Sequence, residues 1–261
     1  MRYDPQSGIT ILAIDDDQII LTVISRLVKA KLPWKILTAN TASKGLQYLR
    51  KQPIHLVLLD INMPNVDGFK TLDLIQYQEE FNGIPVVFVT SQIDSKTVVK
   101  ARMANIDDYI KKPIVPKEMV ERITGFIKKY VKFQVLAIDD EPIPRKLVKA
   151  SLEKIFPYNV EVLTASSATE GLEIIDGNEI NLLIIDDDMP VIDGLRMIEM
   201  LRSREEPVNI PVIFMPGELE DEDRNRVVKL GLQHFVEKPF KPNDLLDAAM
   251  AALNLQPPPE F

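Results

Sequence analysis

The first half of this chain is written again in the second. Leu58-Leu59-Asp60-Ile61-Asn62-Met63-Pro64 is answered by Ile184-Ile185-Asp186-Asp187-Asp188-Met189-Pro190, 126 positions later. The same offset joins Thr38 to Thr164, Gly45 to Gly171, Pro85 to Pro211 and Lys112 to Lys238, with no insertion between them. So long a constant offset marks a duplicated domain rather than two chance motifs. It implies two units of about 125 residues, each able to bury about two-thirds of its unfolded surface. The expected division is 1–131, 132–254 and a tail or linker over 255–261.

Each unit alternates short apolar runs with amphipathic stretches of helical period, the pattern of a parallel sheet covered on both faces. In the first unit the strand runs are 11–14, 35–38, 55–59, 85–89 and 108–110, and the helical runs 18–31, 41–50, 68–78, 95–104 and 116–129. In the second, strands are expected over 134–138, 160–163, 181–185, 211–215 and 234–236. Five strands alternating with five helices make a (βα)5 domain of the α/β class, flavodoxin-like, with strand order 2-1-3-4-5. Pro142 suits a first helical turn, Asp67-Gly68 a turn into a helix, and Gly231 and Asn105 a left-handed helix stop.

The chain has no cysteine, which excludes disulfides, thiolate metal sites and cysteine nucleophiles. No apolar run approaches the ~20 residues of a membrane span and the N-terminus lacks a signal-peptide core, so a cytoplasmic protein without membrane contact is expected. The net charge of −8 is unevenly shared. Residues 1–131 hold 18 Lys+Arg against 14 Asp+Glu, net +4, and residues 132–261 hold 13 against 25, net −12. An acidic half repels phosphates, so nucleic acid is not an expected partner. The asymmetry reads as solvated helix faces, or as halves that attract each other or select different partners.

In such sheets chemistry gathers at the carboxyl ends of the strands. There the first unit places Asp15 and Asp16 after strand one, Asp60 after strand three, Thr90 after strand four and Lys112 after strand five. Three converging carboxylates repel one another unless a cation holds them, and hard oxygen ligands suit Mg²⁺. One acid would suffice to cap the following helix; three in a row exceed that need. His55 and His234 have no partners at metal-ligand spacing and read as core or edge residues, and Trp34 supports no functional claim.

These residues resemble the receiver domain of two-component response regulators, twice over and across nearly the whole chain. The Asp-Asp pair, the Asp-x-x-Met-Pro-x-x-Asp-Gly turn and the late Lys-Pro stand in order, 45 residues from Asp15 to Asp60, 30 on to Thr90 and 22 on to Lys112. The resemblance implies that Asp60 is the phosphoacceptor, with Asp15, Asp16, Asp60 and the Asn62 backbone carbonyl around Mg²⁺, Asp15 through water. It implies that Lys112 pairs with Asp60 and then with the phosphoryl oxygens, that Thr90 reads the phosphoryl group, and that Tyr109 turns inward as the switch. It also implies cis peptides at Lys112-Pro113 and Lys238-Pro239. The implied phosphodonor is a sensor histidine kinase or phosphotransfer protein, and the signal passes to an output domain or downstream protein; a homodimer is compatible.

The second unit keeps Asp139, Asp140, Asp186 and Lys238 but departs at the switch positions. Pro216 stands where Thr90 does, Phe235 where Tyr109 does, and Asp188 where Asn62 does. A hydrogen bond to a charged group is worth about 1.5–3 kcal/mol, so losing the hydroxyl removes a sizeable switching bias. The expected role is a degenerate receiver, serving as adaptor or dimerisation surface. Chemistry is then limited to self-phosphorylation and autodephosphorylation, without a separate catalytic domain. The alternative expectation is the regulatory input half of a larger effector enzyme, such as a diguanylate cyclase; a DNA-binding regulator would need a helix-turn-helix for which there is no room.

Overall fold

The computed structural model describes residues 8–63, 68–81, 83–91, 99, 101, 106, 109–205, 207–217 and 221–257. The chain divides into two compact units between Val131 and Lys132. The first contains β1 (Thr10–Ile14), α1 (Gln18–Lys31), β2 (Lys35–Ala39), α2 (Ala42–Lys51), β3 (Leu56–Asp60), α3 (Gly68–Gln76), β4 (Val86–Thr90), β5 (Tyr109–Lys111) and α4 (Pro116–Tyr130). The second contains β6 (Lys132–Ile138), α5 (Pro142–Ile155), β7 (Asn159–Ala165), α6 (Ala168–Gly177), β8 (Leu182–Asp186), α7 (Gly194–Arg202), β9 (Val212–Met215), α8 (Asp221–Lys229), β10 (His234–Phe235) and α9 (Pro242–Ala252). Of the helix expected over 95–104, only 99 and 101 are described; Asn105, Asp67, Pro64 and Asp108 lie outside the described residues.

Both sheets are parallel, ordered β2-β1-β3-β4-β5 and β10-β9-β8-β6-β7, the same winding read from opposite edges. The expected flavodoxin-like order therefore holds in each unit. β1, β3 and β8 are buried along their whole length, because helices cover both faces and leave no place for alternating polar residues. The edge strand β5 alternates exposed and buried positions, and β2 mixes buried, half-buried and exposed ones. Each unit has its own core: Leu12, Ile14, Leu59, Leu72 and Phe88 in the first, Leu136, Ile138, Ile185, Met197 and Phe214 in the second.

Local chemistry fixes the helix starts. The Asp17 carboxylate accepts from Ile19 N–H at 2.8 Å, and Thr41, Ser167 and Asp193 cap α2, α6 and α7. Prolines open α4, α5 and α9, where a missing N–H leaves nothing unsatisfied. Gly231 ends the turn after α8 with φ of +65°. His55 is buried and its Nδ1 accepts from Thr10 N–H at 3.0 Å; Asn181, 126 residues on, accepts from Gln134 N–H at 2.7 Å. That pairing makes His55 a structural bridge between β1 and β3.

Two boundaries differ from the sequence reading. Ile14 matches Ile138 at an offset of 124, whereas Ala39 matches Ala165 at 126. The two added residues lengthen β7 to seven, and Lys132 and Phe133 pair with its start. There Phe133, Phe156 and Tyr158 pack ring against ring at 5.7–6.1 Å, so aromatic contact holds the extension. The tail expected from 255 also begins later. Leu255 is buried, and the Gln256 carbonyl accepts from the Tyr158 hydroxyl at 2.7 Å.

Candidate functional site

In the first unit, β1 and β3 are neighbours, so Asp15 and Asp60 emerge side by side at their carboxyl ends. β4 adds Thr90, one position beyond the Val89 that pairs with Asp60. Thr90 pairs with Lys111, and the Lys112 N–H donates to the Thr90 carbonyl at 2.8 Å. Strand register alone thus gathers the sequence-selected residues at one edge. Asp15, Asp60 and Thr90 are buried, Asp16 and Asn62 are exposed, and Tyr109 is 39% exposed.

One cation binds the cluster. Lys112 Nζ lies 2.7 Å from Asp15 Oδ2 and 3.2 Å from Asp60 Oδ1. Asp15 Oδ1 also accepts from Asp17 N–H at 2.9 Å. Burial raises the Asp15 carboxyl above its ordinary range, and Lys112 offsets only part of that. Burial alone would depress the Lys112 ammonium; the hydrogen bond and charge of Asp15, with Asp60 behind it, outweigh burial and hold it above its ordinary value. The helix cap is Asp17, which leaves Asp15 and Asp16 free for other work.

The second unit repeats the cluster. Lys238 Nζ lies 2.7 Å from Asp139 Oδ2 and 2.8 Å from Asp186 Oδ1, and Glu141 N–H donates to Asp139 at 2.9 Å. Burial raises the Asp186 carboxyl, with Lys238 opposing. Asp140 is half-buried and Asp188 exposed. Pro216 has no N–H for the sheet, and β10 stops at Phe235 where β5 runs on to the residue before its lysine. The Phe235 ring is 41% exposed and meets Phe214 edge-on. Both Lys-Pro peptides, 112–113 and 238–239, are cis.

Carboxylate oxygens of Asp15, Asp16 and Asp60 come within 4.8 Å of one another, as do those of Asp139, Asp140 and Asp186. With one ammonium facing three carboxylates, each cluster keeps a net negative charge that a small hard cation would neutralise. The donor set is all oxygen, and its exposed member leaves room for water on the ion.

Sequence reasoning missed two contributors. Gly68 and Gly194 do more than turn the chain. A Cβ on Gly68 would lie 2.4 Å from the Asp60 carbonyl oxygen, and one on Gly194 2.3 Å from that of Asp186. These glycines let the following helix press against the acidic strand end. The second is Arg224, which joins Asp186, Lys238 and Pro216 around a cleft of about 830 Å³. No motif marked it, because it comes from α8, outside the strand ends.

The profile of the response regulator receiver domain family matches residues 11–124 and again 135–250. The two-component response regulator ARR12 of Arabidopsis thaliana is 34% identical over 114 residues, 43% of this chain and 18% of that protein. The CAI-1 autoinducer sensor kinase/phosphatase CqsS of Vibrio cholerae is 31% identical over 118 residues, 45% of this chain and 17% of that protein. The chain therefore spans under a fifth of either relative's length. A solved CheY-like receiver domain protein from Methanospirillum hungatei is 28% identical, covering 46% of this chain and 93% of its own, with a TM-score of 0.42. Another, described as a two-component system response regulator/GGDEF domain protein, is 23% identical and covers 95% of this chain and 98% of its own, with a TM-score of 0.45.

Proposed function

The chain belongs, in both of its units, to the response regulator receiver domain family, and we propose that the first unit is its phosphoacceptor and switch. The observation that carries this reading is Lys112 Nζ, held 2.7 Å from Asp15 and 3.2 Å from Asp60, with Thr90 buried at the adjoining strand end where the second unit has Pro216. Asp15, Asp16 and Asp60, with the Asn62 backbone carbonyl, are the residues that would hold Mg²⁺. Bound there, Mg²⁺ would neutralise carboxylate charge facing an incoming phosphoryl group.

The chain's own residues supply positioning and charge. The Asp60 carboxylate attacks phosphorus; an O–P bond forms as the donor's bond to phosphorus breaks and its leaving group departs with that electron pair. Lys112 exchanges its carboxylate partners for phosphoryl oxygens. Thr90 donates its hydroxyl to another, drawing the end of β4 inward. Tyr109, 39% exposed at the start of β5, then turns into the vacated space. The phosphodonor is a sensor histidine kinase or phosphotransfer protein, and the second unit, with Pro216 and Phe235 at these positions, acts as adaptor or dimerisation surface.

Labelling by a small phosphodonor tests the assignment. In Asp186→Asn, where the first unit alone can accept, Mg²⁺-dependent label is retained; adding Asp60→Asn removes it. An unlabelled Asp186→Asn chain, or full label on the doubly substituted chain, would overturn it.

A further inference from the structure

The second unit lacks a hydroxyl at Pro216, yet a second cation, Arg224, borders its largely acidic acceptor cleft beside Lys238. Asp186, Lys238, Pro216, Gly217 and Arg224 border the same space. Lys238 is already committed to Asp139 and Asp186. Arg224 is exposed and, among the described residues, forms no ion pair.

Its neighbour behaves differently. Arg226 meets Glu199 at 2.9 Å, Asp223 at 3.1 Å and Asp193 at 3.3 Å. Two positions along a helix are about 200° around its axis, so the two arginines project from opposite faces. Arg226 thereby ties α8 to α7 and to the turn before it, and Arg224 reaches the cleft from an anchored base. The corresponding residues of the first unit complete the comparison. At an offset of 126, Thr90 and Val98 stand where Pro216 and Arg224 do. At these two positions the first unit carries a threonine and a valine, the second a proline and an arginine.

We infer that Arg224 replaces the hydroxyl lost at Pro216, donating its guanidinium N–H groups to the oxygens of a phosphoryl group carried by Asp186. The inference rests on the receiver reading given above. A guanidinium fork matches two phosphoryl oxygens at once, which a lysine point charge does not. Transfer would form the Asp186 O–P bond as the donor's bond to phosphorus breaks and its leaving group departs with that electron pair. Because the new donor sits on a clasped helix and not at the end of β9, the group is held without drawing that strand end inward. The second unit is then a phosphoryl-binding site uncoupled from a switch.

The test uses the full chain carrying Asp60→Asn, with Mg²⁺ and beryllofluoride as the phosphoryl mimic, its dissociation constant read from amide shifts around Asp186. Arg224→Ala weakens binding at least tenfold, Arg224→Lys weakens it less, and Pro216→Thr added to Arg224→Ala recovers part of the loss. Unchanged binding in Arg224→Ala, or no binding by the Asp60→Asn chain itself, overturns the inference. The chain with Asp60 intact separates this from the receiver reading. There the first unit's shifts near Thr90 persist in Arg224→Ala, whereas their absence in both chains would mean that the receiver reading had failed.

Discussion

Gly194 shows how little room the acceptor strand leaves its neighbours. An added Cβ would meet the Asp186 carbonyl oxygen at 2.3 Å and Asp187 Cα at 3.1 Å, and both are backbone atoms that cannot swing aside. Overpacking of this kind costs about 1–3 kcal/mol. Gly194→Ala should therefore lower the urea midpoint of the second unit and displace the Asp186 carbonyl from its place beside α7; an unchanged midpoint would show that the helix retreats without cost. The Asp-Gly pair was legible in the sequence, but only as a turn. The contact it makes runs through space to a residue eight positions earlier, and no local pattern reports such a distance. The three acids after β1 were likewise legible as a group, while their division of labour was not: Asp17 caps α1, Asp15 meets Lys112 and Asp16 faces solvent.

At the scale of elements, charge helps to place α8. Three carboxylates converge on Arg226, from α7, from α8 itself and from Asp193 at the cap of α7. The hydrogen bond and charge of Arg226 depress the Glu199 carboxyl below its ordinary value, outweighing partial burial. A depressed folded value contributes stability above the unfolded pKa, lost as pH falls through the folded one. Hydrogen exchange in α8 should accordingly quicken below the ordinary glutamate range, and Arg226→Met should quicken it at neutral pH and remove that acid dependence. An α8 equally protected in both proteins would mean that apolar packing of Val227 holds the helix unaided. The strands and helices were legible because buried parallel strands must be continuous apolar runs and the helices amphipathic. The added length of β7 was not, since an edge strand can gain residues wherever a neighbour supplies backbone partners, here Lys132 and Phe133.

For the molecule as a whole, the duplication and the order of motifs were readable from the sequence, because acid, hydroxyl and lysine sit at fixed strand ends in a fixed order. Arg224 was not, since a helix residue reaches the site only once the sheet has brought α8 beside it. Two like domains differ at the strand ends of β4 and β9. Both retain a carboxylate cluster with a lysine across it, and the proposal is that one alone couples occupancy to shape, through Thr90 and Tyr109. Backbone amide shifts of the whole chain, recorded with and without Mg²⁺ and beryllofluoride, test this most directly. Shifts in the first unit are expected to extend from Asp60 through Thr90 to Tyr109, and those in the second to stay around Asp186 and Arg224, fading before Phe235. Responses of equal reach in both units would contradict it, because Pro216 and Phe235 would then be neutral replacements.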